Sequence, residues 1–578
     1  MTRRVALVAG VVVVLLVGAG VAGYVATRPT GTAPTDALGP PRFVDETATA
    51  GIDHAYDGPV MFATGGGLAV LDCDDDGRPD LYVSGGAGPA ALYRNESRIG
   101  EPLRFARVAD PATDLDLVLG AYPLDVDGDG LGDLAVLRAG EPVLLRGLGG
   151  CRFERANERW GFDPGDGDIA AFAATWEGDA ALPTLAIGRY QKLDAAGDQT
   201  LECDTSSLLR PTADGAGYDR PIDLAPGYCA LSMIFTDWDR SGRRDLRVTN
   251  DRNYYVEGTD QLWRMGPGQA PRPYTADDGW VALQVFGMGL ATHDVTGDGF
   301  PDVYVTSQGD NKLQTLSRGP EQPTFRDIAA RRGVTAAQPV VGGDARPSTA
   351  WHPEFADVNN DGFVDLLVTK GNVSAEADHA EKDPSDLFLG QPDGTFVAAA
   401  EAAGIVTFDR GRGAALVDLD LDGLLDLVEV FYGAPVRVWR NVGSGDAATP
   451  APIGHWLALR LSQPGPDRDA IGAWIEVKTG DAVARRELVV GGGHAGGQLG
   501  WTHVGLGPSE AAEVRVTWPD GTAGPWMKVA ADTFVEIERG AAEPRSWQPP
   551  AGGQEGSEDG TSAARPFLLA PDRAMTLA

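Results

Sequence analysis

From Arg42 to Val442 the chain is a succession of short apolar runs separated by clusters of Gly, Asp, Asn and Pro, and the runs recur in one order. A Gly-rich run comes first, as in Gly65-Gly66-Gly67-Leu68-Ala69, Gly287-Met288-Gly289-Leu290-Ala291 and Gly411-Arg412-Gly413-Ala414-Ala415. An Asp-rich loop follows, then a run such as Leu81-Tyr82-Val83 or Val303-Tyr304-Val305, and then Leu92-Tyr93-Arg94-Asn95 or Val438-Trp439-Arg440-Asn441. Last is a Phe-led run ending in Gly-Ile or Gly-Val, as in Phe325-Arg326-Asp327-Ile328 with Gly333-Val334. Short apolar runs bounded by turn residues predict strands, and about four strands per unit is the content of one propeller blade. A unit of this size cannot bury its faces alone, so repetition predicts stacked neighbours.

Phe43-Val44-Asp45-Glu46-Thr47 with Gly51-Ile52 copies the last run of a unit but stands before the first loop, as Phe396 with Gly404-Ile405 stands before the last. It is expected to complete the final unit and close a ring. After Asn441 the repeat stops. From His455 to about Arg539 alternating runs such as Trp474-Ile475-Glu476-Val477-Lys478 and Val514-Arg515-Val516-Thr517-Trp518 predict a second all-β domain. The N-terminus is of another kind: Val5 to Ala26 carries no charge and follows Arg3-Arg4. That run is long enough to cross a hydrocarbon core of about 30 Å, and the flanking arginines place the rest of the chain outside the cytoplasm. A signal peptide cleaved after Gly20-Val21-Ala22 is the alternative.

The Asp-rich loops carry the chemistry. Asp418, Asp420, Asp422 and Asp426 stand at loop positions 1, 3, 5 and 9, with Gly423 at 6. The same pattern gives Asp72, Asp74, Asp76 and Asp80, and Asp125, Asp127, Asp129 and Asp133. Asp237, Asp239, Ser241 and Asp245, then Asp294, Thr296, Asp298 and Asp302, then Asp357, Asn359, Asp361 and Asp365, each replace one Asp by another oxygen-bearing residue. Oxygens at 1, 3 and 5 with Gly at 6 form the front half of an EF-hand-type Ca²⁺ loop. Here the loop closes with Asp at 9 and runs into a strand, so the expected site is a strand-loop-strand clip. First positions lie some 50 to 65 residues apart, with one gap about twice as long that holds a degenerate copy near Thr175-Trp176-Glu177-Gly178-Asp179. That makes seven units, six with usable ligands.

These motifs resemble the FG-GAP/VCBS repeats of integrin-α-type seven-bladed propellers, a resemblance that covers about Arg42 to Val442 and implies Ca²⁺ at the loop positions named. Asp469-Ala470-Ile471-Gly472-Ala473, Gly491-Gly492-Gly493, His503-Val504-Gly505-Leu506-Gly507 and Val516-Thr517-Trp518-Pro519-Asp520-Gly521 look like the ASPIC/UnbV domain that follows such repeats in cartilage acidic protein 1-like proteins. His494 to Gly500 departs from that family's pattern. The expected fold class is therefore all-β: a seven-bladed β-propeller with calcium loops and a small C-terminal β domain, preceded by one transmembrane helix. The expected division is an anchor at 1–27, a linker at 28–41, the propeller at 42–442, the β domain at 453–540 and a disordered tail at 541–578.

A net charge of −35 and a pI of about 4.5 argue against a nucleic-acid partner, and without metal the Asp clusters would repel one another. In an exported chain four cysteines predict disulfides. Cys203 and Cys229 bracket an insertion and are expected to pair, while Cys73 and Cys151 are left without an assignment. The seven His form no recognisable catalytic pattern. The expected function is a membrane-anchored, extracytoplasmic, calcium-binding module that binds a protein or glycan through its loop face. The alternative is an enzyme with a soft-metal site at the channel, drawing on His293, His352 and Met288, which packing by Met288 and Trp351 would exclude.

Overall fold

A computed structural model describes residues 37–252 and 257–549. The apolar run Val5–Ala26 and the tail from 550 lie outside the described residues, and among those described no helix is long and apolar enough to cross a membrane.

The protein is all-β, built of curled antiparallel sheets. Leu68–Leu71, Asp80–Val83, Ala91–Asn95 and Phe105–Val108 form one meander. Val118–Leu124, Asp133–Gly140, Val143–Gly147 and Phe153–Arg155 form the next, and the pattern recurs to Arg410–Val417, Asp426–Tyr432 and Arg437–Asn441. The first strands are buried through their middles, and Val118–Leu124 and Gly167–Thr175 along their whole length, because both faces meet neighbouring sheets. The fourth strands bury little more than their leading Phe, as in Phe153–Arg155 and Phe396–Ala398.

The Gly-Ile and Gly-Val signals that follow these strands are not strand ends. They close single helical turns, Ala329–Arg332 and Ala400–Ala403, with Gly333 at φ 84° and Gly404 at φ 88° as left-handed caps.

Phe43–Asp45 pairs with Arg437–Asn441, Phe43 opposite Asn441, so the start of the chain supplies the outer strand of the last unit. Arg440 Nε and Glu46 Oε1, 2.9 Å apart and both buried, lock this junction, and Glu46 Oε2 accepts the Leu103 N–H of the first unit. At the inner edge Gly413 N–H donates to Gly66 O at 2.9 Å, so the first strand of the last unit lies beside that of the first.

Two disulfides are present, Cys73–Cys151 between the first two units and Cys203–Cys229 across the insertion.

The C-terminal domain has two four-stranded sheets. One joins His455–Ser462, Thr502–Gly507, Thr533–Glu538 and Arg545–Trp547; the other joins Trp474–Thr479, Ala482–Glu487, Ala511–Thr517 and Met527–Ala530. Arg545–Trp547 falls in the stretch whose composition reads as a tail. It is ordered because Trp547 packs on Phe534 and Trp501, ring centroids 5.4 and 5.0 Å away.

From this domain the segment Val490–Gln498 enters the space enclosed by the first strands. Gly492 and Gly493 N–H groups donate to Met233 O and Leu290 O, each at 2.6 Å, and Ala121 and Ala174 N–H groups donate to Ala495 O and Val490 O at 3.1 and 3.0 Å. Gly497 and Gln498 pair with Ala69 and Val70. The Gly-rich runs have their physical reason here: a Cβ on Gly67 or on Gly120 would stand 1.8 Å from Ala495 O. The ladders slip at the same level, between Val118 and Gly120 and between Gly287 and Leu290, which lets the first strands bend around the inserted segment.

Gly120→Val is therefore expected to keep the inserted segment from seating, lowering stability by about 1–3 kcal/mol and raising the rate of limited proteolysis between residues 442 and 453. Gly39→Ala, whose Cβ meets nothing within 4 Å, is the control. Equal melting temperatures and cleavage rates for the two variants would show that the segment does not hold the domains together.

Candidate metal-binding loops

Each Asp loop connects the first and second strands of its unit. The position-1 carboxylate accepts the N–H of the position-6 Gly in all six: Gly77 to Asp72 at 2.8 Å, Gly130 to Asp125 at 2.8 Å, Gly242 to Asp237 at 3.0 Å, Gly299 to Asp294 at 3.0 Å, Gly362 to Asp357 at 2.7 Å and Gly423 to Asp418 at 2.9 Å. These glycines sit between φ 84° and 92°, where a side chain is strained.

The position-9 Asp has a second duty that the sequence reading missed. Asp80 accepts N–H groups from Cys73 and Asn95, both at 2.7 Å, so it ties its loop to the third strand. Asp133 does the same with Val126 and Gly147, Asp365 with Val358 and Gly390, and Asp426 with Leu419 and Asn441. The signal was an Asp recurring at the first residue of a buried strand, where Asp is disfavoured.

Three loops bring carboxylates together. One oxygen from each of Asp72, Asp74 and Asp80 lies within 4.8 Å of the others, and the same holds for Asp125, Asp127 and Asp133 and for Asp418, Asp420 and Asp426. Asp74 Oδ1, Asp127 Oδ1 and both oxygens of Asp420 are buried and accept no hydrogen bond. A buried carboxylate oxygen without a donor is costly, and a trio of such hard ligands suits Ca²⁺. The residues fit the ion.

The position-5 carboxylates turn to their own loop: Asp76, Asp129 and Asp422 accept the N–H groups of Arg78, Leu131 and Leu424. Arg146 Nε also donates to Asp127 Oδ2 at 2.7 Å.

The other three loops are arranged differently. In the Asp237 loop, Arg243 bridges positions 3 and 9, with Nη2 at 3.2 Å from Asp239 and Nε at 2.9 Å from Asp245, while Ser241 Oγ accepts the Arg243 N–H at 3.4 Å. In the next, Asp294 meets Arg485 of the C-terminal domain at 3.2 Å, Thr296 N–H donates to Asp302, and Asp298 accepts the Phe300 N–H. In the Asp357 loop, Asp361 Oδ2 accepts the Leu38 N–H at 2.8 Å and the Asn359 amide at 3.1 Å. The degenerate unit carries an ion pair instead, Glu177 with Arg210 at 2.9 Å.

Burial and mutual repulsion raise the clustered carboxyls. Desolvation pushes Asp72 up to about 6, Asp125 to about 7 and Asp133 to about 8. Asp418, Asp420 and Asp426 are raised by burial and then by neighbouring carboxylates, Asp422 acting on all three.

The loop face is covered by the C-terminal domain. Trp547 packs over Gly77 and Trp456 over Gly423, where an added Cβ would meet each ring at 2.1 and 2.0 Å. Asp237 N–H donates to Glu487 at 2.9 Å, and Gly507 N–H donates to Asn360 O at 2.9 Å.

Inside the ring, Met288 and Trp351 pack in one apolar cluster with Leu231 and Cys229. His352 Nδ1 accepts the His494 N–H at 3.1 Å, whereas His293 lies against Phe355 with ring centroids 5.8 Å apart.

Comparison with known proteins fits this division. Residues 294–368 match the FG-GAP-like repeat family and residues 463–544 the ASPIC and UnbV family. Cartilage acidic protein 1 of Mus musculus is 28% identical over 258 residues, covering 39% of this chain and 36% of the relative. The Homo sapiens protein is 27% identical over 255 residues, covering 39% and 35%. The matched region is thus about a third of each relative's length. Among solved structures, BBS1N from its complex with ARL6DN covers 72% of this chain and 98% of its own, with a TM-score of 0.40 and 10% identity. The chain thus carries an FG-GAP-like repeat segment followed by an ASPIC and UnbV segment and is similar over 39% of its length to cartilage acidic protein 1.

Proposed function

We propose that the protein is an extracellular, calcium-binding β-propeller of seven blades that serves as an adhesion or ligand-binding module for a protein or glycan, anchored in the membrane by its N-terminal apolar run. The observation that carries the calcium reading is the set of buried, donor-free oxygens of Asp74, Asp127 and Asp420, each converging with two further carboxylates. The two disulfides and the similarity to cartilage acidic protein 1 support an extracellular location.

Asp72, Asp74 and Asp80, Asp125, Asp127 and Asp133, and Asp418, Asp420 and Asp426 would hold the metal, which supplies positive charge and rigid oxygen coordination where the C-terminal domain packs. Arg243, Arg485 and the Leu38 segment support leaving the other three loops to internal partners. Calcium is then structural, and no reaction is assigned to it. With the loop face covered, a partner would use the opposite end of the ring. There Val60 and Leu201 are exposed, and Gln199 bonds to Met61 O at 3.3 Å.

Calorimetric titration of the chelated protein is expected to give three bound Ca²⁺ per chain, one per trio, and two for Asp127→Ala. No calcium binding, or a stoichiometry unchanged by that substitution, sinks the assignment. Asp365→Ala separates the structural role of position 9 from metal binding. It strands two buried N–H donors and is expected to cost about 2–6 kcal/mol with or without calcium.

The pH dependence has a definite sign. In the unfolded chain these carboxyls ionise near pH 4, whereas in the metal-free fold Asp72, Asp125 and Asp133 keep their protons to about 6, 7 and 8. Between those limits the folded state binds more protons, so the stability of the chelated protein falls as pH rises from about 4 to 8. With calcium the slope is lost above about pH 5, because the ligands are then ionised in the folded state as they are in the unfolded chain. Melting curves at pH 5 and 8, with calcium and with chelator, check the fall and its loss; parallel slopes would contradict buried clusters emptied of metal.

A further inference from the structure

A cavity of about 390 Å³ lies between the Asp294 and Asp357 loops and the C-terminal strand Ala482–Glu487. Arg485 and Arg486 lie next to each other on that strand and have different surroundings. Arg485 is spent on Asp294 and Glu476, both at 3.2 Å. Arg486 donates no hydrogen bond to any described residue, and its one attractive charge partner is Glu354.

Glu354 is occupied elsewhere. Its Oε1 accepts from Gln498 Nε2 at 2.7 Å, while Oε2 accepts the Leu416 N–H at 3.1 Å and faces His352 at 3.5 Å. The Arg486 guanidinium lies near both His293 and His503, whose imidazoles burial and then this charge hold neutral. His503 Nε2 is 2.6 Å from Asn360 Oδ1, and its Nδ1 is buried without a partner.

A guanidinium presents a planar fork of N–H donors that matches a carboxylate in two parallel bonds. Arg332, also on the cavity wall, is held by Asp393 O and Gly394 O with the Asp393 carboxylate as its charge partner. Among the described residues of the wall Arg486 is thus the one positive charge left over, and it balances a monoanion. A dianion would leave a net negative charge beside Asp294 and Asp357, at the desolvation cost of an uncompensated charge. The volume falls within the range of small-molecule sites and is walled by both apolar and polar groups, Phe355, Ile475, Thr395 and Gln391 among them.

We propose that this interdomain cavity binds a small organic carboxylate, up to the size of a monosaccharide acid, with Arg486 as the partner of its carboxylate. The ligand would bridge the ring and the C-terminal domain, so binding would stabilise their union. The site adjoins none of the three loops proposed to take calcium, so this inference goes beyond that reading and can fail or hold independently of it.

The test is a titration of the full chain, with calcium and with chelator, using acetate, glucuronate, sulfate and phosphate as probes, read by calorimetry and by melting temperature. Saturable binding of glucuronate or acetate is expected, with a rise in melting temperature, and weaker or no binding of sulfate and phosphate. Arg486→Gln is expected to weaken carboxylate binding by about 10- to 100-fold and to fold with an unchanged or higher melting temperature in the absence of ligand, since it removes a desolvated charge. Arg486→Lys keeps the charge without the fork and should fall between. No saturable carboxylate binding to the parent protein overturns the proposal, as does binding that Arg486→Gln leaves intact. Equal binding of sulfate would also overturn it, showing an anion site without the stated selectivity.

Discussion

The structure is governed by the cost of enclosing carboxylates. A strand that begins with Asp and is buried between two sheets must find donors for that Asp, and the fold provides them from the backbone: the loop's own second residue and the end of the third strand both donate to Asp80, Asp133, Asp365 and Asp426. The position-9 Asp is thereby the hinge pin of these four units, and in three loops the carboxylates at positions 1 and 3 gather around it. What remains is a concentrated negative charge at one end of the ring, which has to be met by cations or by protons.

The protein meets it in several ways within one architecture. Arg243 places a guanidinium between two carboxylates of its own loop, and Arg485 reaches across from the C-terminal domain. The degenerate unit has replaced the cluster with the Glu177–Arg210 pair. Asp237 and Asp294 also keep one buried, donor-free oxygen each, but among the described residues only the three Asp-rich loops gather three carboxylates around such oxygens, which is why a metal is proposed for them and not for the rest. A repeat need not be filled alike in every copy, because each loop meets a different part of the neighbouring domain.

That neighbouring domain is not an appendage. It covers the loop face and sends Val490–Gln498 into the ring, where the segment completes hydrogen bonds for inner strands that would otherwise face a gap. Glycine is required on both sides of the contact: in the segment for its turns, and at Gly67 and Gly120 because Ala495 O occupies the place of a Cβ. The ring and its plug are one packing unit, so changes in one are felt in the other.

The sequence by itself determined the all-β class, the order of strands within each unit, the Asp positions and the Cys203–Cys229 bridge. These are local matters: alternation, turn residues, ligand spacing and a short insertion are written in neighbouring residues. It also showed Gly-rich first strands, without saying what approached them.

Only the tertiary structure decided which loops gather three carboxylates and which turn to Arg243, to Arg485 or to the Leu38 segment. It alone paired Cys73 with Cys151, ordered Trp547 against Phe534, and set Arg486 without an acceptor at the junction of the domains. Apart from Arg243, which stands in the loop it neutralises, each of these depends on residues separated in the chain meeting at one point, and no periodicity along a sequence encodes which distant side chain arrives there.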